Sequence, residues 1–395
     1  MPLRLPRSRR RLPTVEIPVD ELNANPFPIW RQLRKDNPVA YVPAIHHYWF
    51  VTRWEDVTTV LKDDDIFSAR IATGMLADIA TSILFSDGSE HSRMRAAMQA
   101  PCQPQAVQDF VRRLVPRLAD ELIDSFAATR STELMGAYFE PLAAETLKAL
   151  SGVEMPTADL RIWVDHVEDF FSVRGNSNET RRVDEGMDRV INEQLGPPPR
   201  VAESTLLRNM TEWRDDGGAL PEQQLRGSLK VFLAAGLHEL RDLMAHALLG
   251  LLSRPEQLIE LQADLSLARP AIEEAARWSS PVGMVPRVTT VPVELAGVQI
   301  PAGGYVAAIV ASANRDEKRF TEPSRFDLHR DEGKHIAFAS GIHFCLGAWL
   351  SREAGATALA RLVERLPGLR LTPGEPIEVR GWRFRQVNHL HASWS

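Results

Sequence analysis

The chain has 395 residues, of which 44% are hydrophobic and 25% are charged, as in an ordinary globular enzyme. Its formal net charge of −6 argues against nucleic acid as the main partner. Two cysteines are too few for a disulfide framework, so the expected compartment is a reducing cytoplasm. The basic N-terminus is not followed by the apolar segment that a secretory signal or a membrane anchor requires.

The N-terminal residues 1–20 are basic and broken by proline, which predicts a solvated, disordered arm; docking of this arm to an acidic partner is the alternative. Residues 21–395 contain no repeat and no linker, and they favour a single domain. Two strand-like pieces, A-Y-V-P-A and Y-W-F-V-T, come first, and residues 104–126 follow with a helical pattern. Residues 175–225 are polar and broken by G-P-P-P and D-D-G-G, which predicts connections between helices.

The segment 229–252 is apolar on most faces but is interrupted by charged side chains, so we expect a buried central helix rather than a membrane span. Residues 287–311 alternate in polarity and contain turns, as a small β-sheet does. From Leu346 onward apolar residues return at helical spacing. Together these patterns predict a mainly α fold with a smaller β region.

Cys345 stands in the stretch F-A-S-G-I-H-F-C-L-G, residues 338–347, just before a predicted helix. The thiolate is the metal-ligating form of cysteine, and the N–H groups and dipole at a helix N-terminus stabilise it. Gly341 and Gly347 would let the backbone approach a flat group, and the two phenylalanines of the stretch would exclude water. For this stretch taken alone, a buried structural cysteine is the alternative.

Further features elsewhere in the chain suit the same kind of site. In H-S-R-M-R, His91 and Arg95 lie four residues apart, on one helix face, and could together hold a carboxylate. In E-A-A-R, Glu274 and Arg277 have the spacing of an ion pair, either buried or exposed. Arg287 begins a β segment, and a polar run that contains F-D-L-H-R precedes the cysteine stretch.

These features, in this order, resemble the cytochrome P450 family of haem-thiolate monooxygenases over nearly the whole chain. The resemblance implies that family's fold, with a long central helix over the haem, and haem b as the cofactor. It implies that Cys345 is the proximal ligand, whose thiolate donates electron density to iron. The residues implied to hold the haem propionates are His91, Arg95, Arg287 and His343. The residues implied to form an ion-pair network beneath the haem are Glu274, Arg277 and Arg330. Cys102 matches no ligand position and is expected to be a spectator thiol.

The family usually places an acid and a threonine on the central helix, where they relay protons during oxygen activation. This chain reads A-A-G-L-H-E-L at 234–240, with His238 at the acid position and Glu239 at the threonine position. An ionised carboxylate only accepts hydrogen bonds, whereas a carboxyl kept protonated in an apolar pocket can donate one. Glu239 is expected either to act as an acid–base group or to turn aside to the backbone or Arg241, with water as the relay.

One branch of the family, which O-demethylates guaiacol-like methoxyphenols, carries Gln-Glu at this point. It also resembles this chain in S-R-P-E-Q-L, F-D-L-H-R and G-W-x-F-R. The resemblance implies a small aromatic substrate, and the predicted pocket residues are Phe171, Val285, Phe384 and Ala235. Core packing is the alternative for Phe384. A further phenylalanine of that branch corresponds to Asp78 here, so the two pockets are not expected to be identical.

The expected function is insertion of one oxygen atom from O2 into a small aromatic substrate, with O-demethylation of a methoxyarene as the specific prediction. Three alternatives stay open: hydroxylation of a non-aromatic small molecule, a hydrogen-peroxide-driven peroxygenase that uses Glu239, and a haem sensor without turnover. The chain holds no flavin or iron–sulfur motif, so electrons are expected from a separate ferredoxin or flavoprotein. Neither nucleic acid nor a membrane is an expected partner.

Overall fold

The computed structural model describes residues 13–71, 77–171, 178–195 and 205–395. The helices are α1 Val19–Ala24, α2 Phe27–Asp36, α3 Trp54–Lys62, α4 Ala77–Ala80, α5 Gly88–Met98, α6 Pro104–Phe126, α7 Glu140–Ser151, α8 Thr157–Phe171, α9 Asn178–Leu195, α10 Leu206–Glu212, α11 Glu222–Leu252, α12 Pro255–Ala263, α13 Ala268–Trp278, α14 Val310–Ala313 and α15 Ala348–Arg365. The strands are β1 Val39–Val42, β2 Tyr48–Val51, β3 Phe67–Ser68, β4 Ser131–Glu133, β5 Val285–Thr289, β6 Val293–Leu295, β7 Val298–Ile300, β8 Tyr305–Ala308, β9 Arg370–Leu371, β10 Glu378–Arg380, β11 Gln386–His389 and β12 His391–Ser393. The predicted mainly α fold with a smaller β region is confirmed.

The largest sheet has five strands in the order β1-β2-β8-β5-β3. β1 and β2 form an antiparallel pair in which Val39 lies opposite Val51. β2 and β8 are parallel, and β8 pairs with β5 in the antiparallel sense. Side chains that alternate along these strands, among them Trp49 and Val306, pack with α3 into one apolar core. Arg287 lies opposite Val306 in this register, so the sheet sets the position of that cation.

The helix α11 has 31 residues and is buried on most of its faces. It packs against α4, α7, α8, α13 and α15, so it runs through the middle of the helical part. Its leucines Leu229, Leu233 and Leu237 are fully buried, which explains why the segment reads as apolar all round. Across the described ranges, none of the helices combines the length and the apolar content that a bilayer crossing requires.

The N-terminal arm expected over residues 1–20 does not extend as far as residue 20. The amide of Tyr41 donates to the carbonyl of Pro13, and the amide of Val15 donates to the carbonyl of Tyr41, both at 2.9 Å. Ile17 is buried, and α1 begins at Val19. These contacts extend the edge beside β1 and fix residues 13–20 on the fold; residues 1–12 lie outside the described part.

The polar stretch 175–225 contains two helices, α9 and α10, and not connections alone. In α9, Met187 and Ile191 lie four residues apart and are buried, so one narrow apolar face packs while charged residues cover the rest. The side-chain oxygen of Thr205 accepts a hydrogen bond from the amide of Arg208 and so caps the start of α10. The prediction failed here because the charged composition obscured the helical spacing.

His246 is a buried histidine of α11 that couples folding to pH. His246 is 1% exposed, and its Nε2 lies 2.9 Å from the carbonyl oxygen of Arg385. A neutral imidazole that carries its proton on Nε2 can donate a hydrogen bond to this carbonyl. Burial lowers the pKa of His246 from 6.5 to about 4, although the carbonyl contact acts in the opposite direction. Because the folded-state pKa is depressed, the stabilisation is fully present above pH 6.5 and is lost as the pH falls toward 4.

We expect the wild-type protein to lose about 2 kcal/mol more unfolding free energy than a His246→Gln variant when the pH is lowered from about 7.5 to about 5. The reason is that the unfolded histidine takes up a proton in this range, whereas the buried one does not. Urea unfolding of both holoproteins at the two pH values measures the difference. Equal losses in the two proteins would contradict the assignment.

Candidate active site

A cavity of about 260 Å³ lies between α11 and the loop that carries Cys345. One wall is a single face of α11, formed by Phe232, Ala235, Gly236, Glu239 and Leu243. The opposite wall is formed mainly by residues 337–347, including the thiol-bearing loop. Most of these side chains are apolar, and the charged ones among them are few.

The loop before Cys345 is shaped by backbone conformations that few residues adopt. Gly341 has φ +74°, and a Cβ there would lie 2.5 Å from the carbonyl oxygen of Leu61, so glycine is required on both counts. Beyond this turn, the amide of Cys345 donates to the carbonyl of Phe338 at 2.9 Å, and α15 begins at Ala348. The turn therefore places Cys345 at the N-terminus of α15 with its side chain on the cavity wall.

Burial of the Cys345 thiol opposes its anion, whereas a backbone donor and nearby positive charges favour the anion. Burial raises the pKa of Cys345, while the amide of Gly347 and the positive charge of Arg95 act to lower it. Arg352 adds a third favourable contribution. A sulfur on the cavity wall, with a backbone donor and cations nearby, suits a thiolate that is bonded to a metal ion in the cavity.

Four cationic or imidazole side chains gather at one end of the cavity. His91, Arg95, Arg287 and His343 all line it. The His91 and His343 rings are 4.4 Å apart between centroids, and Arg95 Nη1 donates to the carbonyl of Phe344 at 2.7 Å. Asp87 lies 3.4 Å from His343 Nε2 and orients that ring. The structure therefore brings together the four predicted propionate-binding residues.

The arginine side chains at this end of the cavity favour the binding of an anionic ligand. Arg287 is 3% exposed and donates to the carbonyl of its neighbour Pro286 at 2.8 Å, and no carboxylate of the described chain lies within ion-pair distance of it. Burial lowers the pKa of Arg287 to about 10. Burial, together with the charges of His343 and Arg95, lowers the pKa of His91 to about 4. Since buried charges require partners, a flat ligand with two carboxylates fits this end, and haem b carries such a pair.

Beside the cavity, Glu274 and Arg277 of α13 form a bidentate ion pair, with both nitrogen–oxygen distances at 2.7 Å. Their side chains are 4% and 2% exposed. Arg330 Nε adds a contact of 3.1 Å to Glu274, and the amide of Asp327 donates to the same carboxylate. Because Ala276 of α13 lines the cavity, this network supports one of its walls. The structure brings together the three residues predicted for it.

Glu239 lies on the cavity wall, and its charge raises the pKa of the Cys345 thiol. Arg241, the partner considered for Glu239 from the sequence, lies 3.4 Å from Glu140 and 3.0 Å from Asp242. The Glu239 side chain therefore belongs to the cavity wall opposite Cys345.

His238 does not line the cavity, in contrast to the catalytic position predicted for it. Its Nε2 lies 3.3 Å from Asp165 of α8, and its Nδ1 lies 3.4 Å from the amide nitrogen of Gln386 in β11. Glu239 and Leu240 lie on the cavity face of α11, whereas His238 lies beyond the edge of that face, because successive residues of an α-helix point about 100° apart. His238 therefore connects α11 to α8 and β11, and Glu239 is the residue that faces the reacting space.

The structure places some of the four predicted substrate-pocket residues on the cavity wall and others elsewhere. Ala235 and Val285 line the cavity. Phe384 does not; its backbone pairs with Val282, which is the residue that reaches the wall. The side chain of Phe171 lies outside the described residues. Asp78 belongs to an ion cluster on α4 and not to the cavity lining.

Several lining residues were missed in the sequence analysis. Val231 and Phe232 precede Ala235 on α11, and helical spacing back from Glu239 would have found Phe232. Ile83 and Leu84 lie in a single turn of 3₁₀-helix after α4, and Val282 follows α13. No periodic pattern marks such connecting residues, so the sequence alone carries no signal for them.

Comparisons with known proteins agree with this geometry. The sequence model of the family described as Cytochrome P450 matches residues 156–369. The chain is 32% identical over 384 residues to cytochrome P450 monooxygenase PikC of Streptomyces venezuelae, covering 94% of this chain and 91% of that protein. It is 31% identical over 369 residues to cytochrome P450 107B1 of Saccharopolyspora erythraea, covering 89% of each. The structure of cytochrome P450 CYP109Q5 from Chondromyces apiculatus aligns with a TM-score of 0.85 at 28% identity, covering 97% and 98% of the two chains.

None of these three names refers to a methoxyarene, so the resemblance to the O-demethylating branch stays a prediction. The match at family level is supported by long aligned regions and by a cavity that has Cys345 on one wall and arginine and histidine side chains at one end. Haem b is the cofactor of this family, and the cavity residues fit it. The chain belongs to the cytochrome P450 family and is a haem-dependent monooxygenase.

Proposed function

We propose that the substrate is a small, largely apolar molecule that binds against the α11 face of the cavity. The supporting observation is the apolar lining around that face: Phe232 of α11 lies there with Ile83, Leu84 and Val285 from neighbouring segments. Bound haem supplies the oxygen-activating chemistry with electrons from a separate ferredoxin or flavoprotein, and the Cys345 thiolate donates electron density to it.

The protein's own residues then orient the substrate and handle protons. Apolar walls from α11, β5 and residues 83–84 hold the substrate by contact area, which gives orientation through shape. Ser228 and Glu239 add polar groups on the α11 side. We assign Glu239 the task of holding a proton at its carboxyl and passing it into the cavity, because it stands where the family usually has a hydroxyl.

Within this substrate class, we propose a methoxyarene, with a non-aromatic apolar molecule as the alternative. Hydroxylation of a methyl ether gives a hemiacetal that collapses to a phenol and formaldehyde, so ordinary hydroxylation suffices. The carboxylate at 239 and the wall residue Val285 support this choice through the resemblance to the O-demethylating branch. The position of Phe384 outside the lining favours the alternative, since it removes one of the expected aromatic contacts.

The test is a titration of the purified holoprotein with guaiacol, 4-methoxybenzoate, a medium-chain fatty acid and a terpene, followed by haem absorbance. We expect the methoxyarenes to perturb the haem spectrum at the lowest concentration and to yield formaldehyde in turnover with a surrogate redox partner. Tighter binding and turnover of the fatty acid or the terpene, without formaldehyde from the methoxyarenes, would refute the methoxyarene and support the alternative.

A second candidate function is oxidation driven by hydrogen peroxide instead of O2 and electrons. The position of the Glu239 carboxyl on the cavity wall, where the family usually has threonine, favours it. A carboxylate there can accept a proton from hydrogen peroxide and return it as water leaves. Bleaching of the haem by peroxide, with no product at any concentration, would exclude this function.

A Glu239→Thr variant separates the two oxidants. We expect its peroxide-driven rate to fall about a hundred-fold, because a positioned acid–base group contributes that much or more, while its reductase-driven rate is retained or rises. Product formation with each oxidant is the measurement. A matched Glu121→Thr variant, which changes an exposed glutamate of α6, should alter neither rate. The opposite pair of changes would contradict the role of Glu239.

A further inference from the structure

Lys230 of α11 is a fully buried lysine that contacts carboxylates from two other helices. Its side chain is 0% exposed, and its Nζ lies 2.6 Å from Asp188 and 2.9 Å from Asp184, both on α9. A third carboxylate, that of Asp78 on α4, lies at 3.7 Å. A buried ammonium group is tolerated only when it is paired, so these contacts tie α4 and α9 to α11.

Arg226, one helical turn before Lys230, adds a second cation to the same group. Its Nε lies 3.0 Å from Asp78 and 3.7 Å from Asp188. We name this group of side chains the roof cluster: Asp78, Asp184, Asp188, Arg226 and Lys230. The indole nitrogen of Trp163 on α8 donates to Asp184 at 3.3 Å and so connects a fourth helix.

The roof cluster fixes a wall of the cavity. Asp78 lies in α4, which leads directly into Ile83 and Leu84 on the cavity wall. The backbone of this segment is also held close to α11: a Cβ on Gly227 would lie 1.9 Å from the carbonyl oxygen of Asp78. The amide of Ile83 donates to Ser228 Oγ at 3.0 Å. Residues 77–85 therefore depend on α11 for their position.

An ionic cluster is suited to a contact that must open and close. Separated carboxylates and ammonium groups regain their hydration, so opening costs far less than the Coulomb energy alone would indicate. Water has access, since the Asp188 side chain is 30% exposed although the Lys230 side chain is 0% exposed. An apolar contact of the same size would instead expose hydrocarbon surface to water on opening.

We propose that the roof cluster is the latch that holds residues 77–85 and α9 on α11, and that its opening sets the rate at which substrates enter and leave the cavity. Lys230 is then a positioning residue that touches neither substrate nor haem. This inference rests on the cavity being the substrate chamber of the monooxygenase, and it does not depend on which substrate enters.

The test uses holoprotein with Lys230→Met and, as a milder change, Asp188→Asn. The probe is 4-phenylimidazole, whose binding and release are followed by stopped-flow haem absorbance. We expect both the binding and the release rate to rise about ten-fold or more in Lys230→Met, with a smaller change in the dissociation constant, because opening becomes easier. Hydrogen–deuterium exchange should accelerate in residues 77–85 and 178–195 in both variants.

The matched control is Arg361→Met, which removes a cation paired with Asp120 between α15 and α6, away from the roof. It should leave the probe rates and the exchange of residues 77–85 unchanged. The proposal is overturned if Lys230→Met and Asp188→Asn lower the unfolding midpoint but leave the probe rates at the wild-type value. It is also overturned if faster exchange is confined to α9.

Discussion

Replacement of Cys345 by serine is expected to abolish thiolate ligation and, with it, monooxygenase turnover. A serine hydroxyl stays protonated in the buried site and cannot donate charge to iron as a thiolate does. The reduced, carbon-monoxide-treated variant should lack the red-shifted absorbance band that thiolate-ligated haem gives. Product formation should fall below detection even if haem is still retained by the cations at the other end of the cavity.

Cys102→Ser is the matched control, because it makes the same chemical change at the other cysteine. Cys102 is 4% exposed, and burial raises its pKa to about 12, so it stays a neutral thiol. This variant should keep the red-shifted band and the turnover rate of the wild type. If Cys345→Ser retained the band while Cys102→Ser lost it, the assignment of the ligand would be reversed.

The second large effect is expected from Glu274→Gln. The substitution preserves volume but leaves the Arg277 and Arg330 guanidinium groups, 2% and 8% exposed, without their shared carboxylate. Loss of one partner of a buried ion pair costs about 3–5 kcal/mol, and the carbonyl groups that Arg277 also contacts do not carry a full negative charge. Urea unfolding of the holoprotein measures the loss, and haem content should fall with it because α13 supports the cavity.

Glu121→Gln makes the same change in an exposed pair. Glu121 and Arg117 are 57% and 69% exposed on α6, and pairs of this kind contribute about 0–1 kcal/mol. A loss in Glu274→Gln no greater than that in Glu121→Gln would show that the α13 network does not stabilise the fold as argued.

Features that depend on a few residues at fixed spacing could be predicted from the sequence. The structure places Cys345 just before α15, and Glu274 and Arg277 in one buried ion pair, as local spacing predicted. Gly341 lies close to the carbonyl of Leu61, whereas the sequence predicted that it would let the backbone approach a flat group. The short apolar runs that became β1 and β2 were also found, because aromatic and β-branched residues are concentrated in them.

Features that depend on which way a side chain turns could not be predicted. His238 and Glu239 are neighbours, and only the packing of α11 against α8 and β11 decides which of them faces the cavity. Phe384 does not line the cavity; its backbone pairs with that of Val282, and Val282 lines the cavity. The Lys230 contacts join helices that are far apart in sequence, and no local pattern encodes such a meeting.

Strand β5 carries two cavity residues with different tasks. Val285 and Arg287 both line the cavity from alternate positions of one strand, and Arg287 would hold a haem propionate there. Two residues of extended chain span about 6.6 Å, a separation that covalent geometry holds constant. A bulkier residue at 285 would therefore shift a bound substrate while Arg287 kept its place for the haem, so one substitution could change which carbon is oxidised without loss of the cofactor.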